Sequence, residues 1–204
     1  MTSVLVARHG RLVIERYYDG VGPTASVPVF SITKTVVSAL VGMRSPTAGC
    51  RGSTSASTTP SRASQRGRSR QRRLFRPLGI RDVRWPGSHG GSGLVLRPRA
   101  VLAFGQLYLD GGTWRGRSIL PAEWMQVSTR AHVDVPPGQG VTDAYGYGWW
   151  VQRRGELRSF TAHGYLGQVL AVFPHLDEVV LVTSSGERLD TFDVVRRIVA
   201  ATRA

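Results

Sequence analysis

The spacing of apolar and polar positions changes several times along the chain, and each change predicts an element. Residues 3–9 (SVLVARH) and 11–18 (RLVIERYY) are short β-rich runs on either side of Gly10, which predicts a hairpin. Residues 29–42 (VFSITKTVVSALVG) predict a helix, with Val36, Val37, Ala39, Leu40 and Val41 crowded enough for burial nearly all round. Pro98 suits the first turn of a second helix in which Val101, Phe104, Gly105 and Tyr108 share a face and Asp110-Gly111-Gly112 marks the end. A short helix is predicted from Pro121. Strands follow from Tyr145 (YGYGWWVQ), in RSFTAHGYLG, from Val169 (VLAVFP) and from Glu178 (EVVLVTSS). VLAVF and VVLV are apolar without alternation, so their sheet should be covered on both faces. Leu189, Phe192, Val195 and Val199 fall in register over 189–203, which predicts a closing amphipathic helix.

One interval breaks the pattern. Residues 44–73 hold eight arginines among Ser, Thr, Gly and Pro, with no Val, Ile, Leu, Phe, Tyr or Trp. Such a segment buries too little apolar area to offset its ordering entropy, so it is expected to be disordered. Three readings stay open for it: a nucleic-acid-binding or acidic-partner-binding arm, a solvated linker, or a stretch translated in a shifted reading frame. No aromatic residue interleaves with the arginines, which argues against stacking on single strands. The chain therefore divides into 1–43 (hairpin and helix), 44–73 (insert) and 74–204 (remainder).

Composition sets bounds on this picture. With 204 residues and 41% apolar content, the chain can build one domain with a core. A single cysteine, Cys50, excludes an internal disulfide framework and a multi-cysteine metal site. The four histidines other than His163 show no metal-ligand spacing, and no cofactor is expected. No apolar run approaches the roughly 18 residues of a membrane helix, and the N-terminus lacks the apolar core of a signal peptide. A cytoplasmic location is expected. The formal charge of +14 is concentrated in the insert, and no acidic residue lies between Asp19 and Asp82.

Lys34 is the only lysine among 27 basic side chains. Arginine stays charged in proteins, whereas a desolvated lysine can release its proton and act as a base. Ser31 lies three residues earlier, on the same face of the predicted helix and in its first turn, where free N–H groups and the helix dipole favour a developing anion. This is the spacing of a nucleophile with its base. On spacing alone a second reading stays open, with Ser31 as a cap and Lys34 as a solvated charge.

The ordered set VLVARHGRLVIERYYDG, FSITKTVVSALVG, LFRPLGI, LRPRAVLAFGQLYLDGGTWRGRSILPAEWM, YGYGWWV and AHGYLGQVLAVFPHLDEVVLVTSS resembles the serine β-lactamase-related superfamily. It is most similar to the class C-like branch of esterases, amide hydrolases and penicillin-binding-protein homologues. The resemblance implies a mixed α/β fold, an antiparallel sheet flanked by N- and C-terminal helices, with the inserted helical subdomain largely absent here. It implies hydrolysis of a small-molecule ester, amide or β-lactam through an acyl-Ser31 intermediate, with Lys34 helping to deprotonate Ser31. AHGY, residues 162–165, matches the family's third motif. Gly164 would let substrate lie close, and the N–H groups of Ser31 and Tyr165 would form the oxyanion hole. His163 would bind a substrate carboxylate or assist proton transfer, or else be an ordinary strand histidine. The family's Tyr-x-Asn motif has no counterpart, because the chain contains no asparagine. The resemblance thus implies a hydrolase with part of its base missing, and the alternative is a non-catalytic remnant that binds nucleic acid or an acidic partner through 44–73. Substrate identity and oligomeric state are not fixed by the sequence.

Overall fold

A computed structural model describes residues 1–44, 71–86, 89–137, 142–155, 157–186 and 190–203. Most of the arginine-rich insert, residues 45–70, and Leu189 lie outside the described residues, as do the expectations attached to them. A single helical turn, Gln71–Phe75, straddles the boundary expected at residue 73.

The described strands, in chain order, are β1 (Ser3–Arg8), β2 (Arg11–Tyr17), β3 (Val27–Pro28), β4 (Val95–Leu96), β5 (Thr113–Trp114), β6 (Arg117–Ser118), β7 (Val133–Asp134), β8 (Ala144–Tyr145), β9 (Trp150–Gln152), β10 (Ser159–Gly164), β11 (Gln168–Phe173) and β12 (Glu178–Thr183). The helices are α1 (Thr33–Gly42), α2 (Pro98–Leu109), α3 (Ala122–Thr129) and α4 (Thr191–Arg203). Eight strands form one antiparallel sheet in the order β2-β1-β12-β11-β10-β9-β8-β7. β3 and β4 form a separate pair, as do β5 and β6.

Side chains alternate across a strand, so β11 and β12 feed two cores. Leu170, Val172, Val179 and Leu181 join a large cluster with Ile32 and Val36 of the Ser31 region, Leu74, Phe75, Leu78 and Ile80 of LFRPLGI, and Phe104 and Leu107 of α2. Val169, Ala171, Phe173, Val180 and Val182 join a smaller one with Val195 and Val199 of α4. Every residue of β11 and β12 is buried, as their non-alternating runs require. Helix α2 sits closely on its face because of Gly105: a Cβ there would lie 2.7 Å from both Leu170 Cδ1 and Val179 Cγ1.

Several expectations need correction. Ser31 lies in a 3-10 turn, Phe30–Ile32, immediately before α1. α1 is buried on one side only, through Thr33, Thr35, Val36, Ala39 and Gly42, while Val41 is 55% exposed. The run from Tyr145 is two short strands rather than one, because Gly146 and Gly148 turn the chain between β8 and β9. The described closing helix begins at Thr191. Among the described residues no helix is long and apolar enough to cross a membrane.

Candidate active site

The segment before Ser31 is pinned by the short β3–β4 pair, in which Val27 faces Leu96 and Pro28 faces Val95. The Val29 N–H donates to the Leu94 carbonyl at 3.0 Å, and the Leu94 N–H donates to Thr33 Oγ1 at 3.3 Å. Phe30 then adopts a left-handed conformation, φ +46°, which is costly for a residue with a Cβ. Its ring packs edge-on against Tyr165 with centroids 5.7 Å apart, a contact that offsets part of the cost. The Ile32 N–H closes the turn on the Val29 carbonyl at 3.1 Å.

Ser31 is half-buried on this turn, and Lys34 is exposed one turn later. Lys34 Nζ donates to Ser31 Oγ at 3.2 Å. Lys34 is therefore beside the hydroxyl, but the protein does not itself shield it from water.

Three glycines bring other segments to this pair. Gly164, the last residue of β10, lies so close to the turn that a Cβ would sit 2.5 Å from the Val29 carbonyl oxygen. Gly148, at φ +88°, rests against the backbone of α1, where a Cβ would lie 3.1 Å from the Lys34 carbonyl oxygen. Gly91 approaches the Lys34 side chain, with its Cβ position 3.8 Å from Cε. Gly91 and Gly148 were not singled out in the sequence, although the glycine-rich texts HGGSG and YGYGW carry a signal of close backbone approach. Tyr165 follows Gly164 and is 61% exposed at the mouth of the site.

His163 is placed elsewhere. Ala162 belongs to the same core as Ile32 and Gly164 meets Val29, so the intervening His163 projects from the opposite face of β10. Its ring packs edge-on against Phe192 of α4 at 5.1 Å, and burial pushes its pKa below the usual value. It is not brought to Ser31. Tyr147, next to Gly148, is stacked on His132 at 4.1 Å and on Trp124 at 5.8 Å. Among the described residues no group of three or more His, Cys, Asp and Glu could hold a metal ion.

The fold that carries this turn is similar to those of known proteins. Among solved structures, the octameric penicillin-binding protein homologue from Pyrococcus abyssi superposes with a TM-score of 0.76 at 11% identity, over 98% of this chain and 72% of that one. A Bacillus anthracis protein assigned as a 6-aminohexanoate-dimer hydrolase gives 0.72 at 16% identity, over 98% and 78%. EstCE1, described as a hydrolase with promiscuous acyltransferase activity, gives 0.68 at 14% identity, over 93% and 90%. At these identities the likeness is one of fold. No curated protein matches the sequence. The model of the Beta-lactamase family matches residues 50–204, the part of the chain that holds α2, α3, α4 and all of the large sheet except β1 and β2. The chain belongs to the Beta-lactamase family, whose fold it shares with penicillin-binding-protein-like and β-lactamase-like serine hydrolases.

Proposed function

We propose that the chain is an acyl hydrolase that opens an ester or amide through a covalent acyl-Ser31 intermediate. The observation that carries this reading is the 3.2 Å hydrogen bond between Lys34 Nζ and Ser31 Oγ, on a turn held against Gly164 at the end of β10. A substrate seated over Ser31 displaces water from Lys34. Ser31 Oγ then attacks the carbonyl carbon as its proton passes to Lys34 Nζ, and the N–H groups of Ser31 and Tyr165 receive the oxyanion. The alcohol or amine leaves with that proton. Water cleaves the acyl-serine and releases the carboxylic acid. The chain has no asparagine and so no Tyr-x-Asn, which leaves Lys34 as the proton carrier in both halves of the reaction. Slow deacylation and a long-lived acyl-enzyme are expected.

A fluorophosphonate probe followed by intact mass tests the reading. One adduct per chain, mapped to Ser31 and lost in Ser31→Ala, is the expected result. Absence of an adduct, or equal labelling of the variant, overturns it.

A further inference from the structure

Behind β10, on the face turned away from Ser31, lies a cavity of about 330 Å³ between the sheet and α4. Its origin is a pair of small side chains: Thr161 of β10 and Ala171 of β11 are register partners, and neither fills the space below Phe192 and Val195 of α4. Phe173 extends the apolar floor along β11, while Gln152, Arg154 and Arg196 stand at the rim. No acidic side chain lines the cavity among the described residues. Arg196 is neutralised by Asp190 and Asp193, at 3.8 and 3.3 Å, whereas Arg154 has no ion-pair partner among the described residues. The volume is at the lower end of small-molecule sites, roughly 300–1,000 Å³, which suits one slender ligand.

From this combination of an apolar floor, hydroxyl and amide walls and an unpaired guanidinium at the rim, we infer that the cavity binds a medium-chain carboxylate. An alkyl tail of about six to ten carbons would lie against the partly open Leu157 and Phe192, above the nearly covered Ala171, Phe173 and Val195, and its carboxylate would pair with Arg154. The site does not depend on the chemistry assigned to Ser31, from which a layer of sheet separates it.

The test is a titration of octanoate into the Ser31→Ala variant, with backbone and methyl chemical shifts reporting where it binds. Saturation below about 1 mM is expected, with shifts centred on Ala171 and Val195. Arg154→Ala should weaken octanoate at least tenfold and leave 1-octanol, which has no charge to pair, unchanged. Ala171→Leu should fill the hollow and abolish binding. If that variant fails to fold, the Arg154→Ala comparison decides, since Arg154 is on the surface. Shifts centred on Gly164 and Tyr165, no saturation below about 1 mM, or equal weakening of octanoate and octanol would each overturn the assignment.

Discussion

At position 34 the difference between lysine and arginine is one of proton transfer, since both are long, cationic and similar in helix propensity. Lys34→Arg should slow fluorophosphonate labelling of Ser31 by at least about 100-fold, the scale of general-base assistance, and change stability by less than about 0.5 kcal/mol. Labelling at the parent rate would make Lys34 a charge only. The Ser31–Lys34 pair was legible because i, i+3 spacing survives the change from α-helix to the 3-10 turn that holds Ser31. The role offered for His163 fails on parity: once Gly164 is against the Val29 carbonyl, its neighbour must face away. The text AHGY gives the alternation but not which half of it meets the turn. The left-handed Phe30 carried no signal either, because its conformation is imposed by Leu94, Val29 and Tyr165 from three places in the chain.

Among the elements, the long patterned ones were readable and the short ones were not. α2 runs from Pro98 to the residue before Asp110 as its punctuation implies, whereas β3–β4 and β7 are two-residue strands whose pairing depends on tertiary position. Gly105 of α2 allows a balance of two effects. Alanine would gain about 1 kcal/mol of helix propensity, but its Cβ would press on Leu170 Cδ1 and Val179 Cγ1 in a filled core, and overpacking costs about 1–3 kcal/mol. Overpacking should win because Val179 is β-branched and stiff. Gly105→Ala is expected to destabilise the protein by about 1 kcal/mol in all, read as a lower urea midpoint at unchanged m-value, and a higher midpoint would reverse that ranking. A second balance lies at the end of β12. Glu178 is 0% exposed, Thr202 of α4 donates to its Oε2 at 2.8 Å, and Arg8 lies 3.8 Å away. Burial raises its pKa above the usual 4.5, and the hydrogen bond from Thr202 and the nearby charge of Arg8 offset this only in part. The fold thus favours the neutral acid: the cost is absent below the unfolded pKa and grows as pH rises through the folded one. Glu178→Gln should stabilise the protein at pH 8 and lose that advantage towards pH 4.5, read from urea midpoints. An advantage equal at both pH values would rule out titration as its source.

On the scale of the whole molecule, the sheet separates the core beneath the Ser31 turn from the smaller core under α4. Val199 of α4 is fully buried in the core opposite Ile32 and Val36. Val199→Ala should cost about 2 kcal/mol, measured by denaturant, yet leave Ser31 labelling per folded molecule unchanged. A matching fall in labelling would mean that the faces are coupled. Burial on both faces was legible from VLAVF and VVLV, whereas the neighbour order of strands was not, since no local pattern says that the first strand pairs with the last. In that pairing Ser3 lies beside Thr183 and Arg8 beside Glu178. A ribosome making this chain threads out β1 well before its partner β12, so the nascent polypeptide carries an unmatched strand edge until β12 emerges. Closing a loop of that span is slow. Until β12 emerges, the open β1 edge is a template on which another strand could pair.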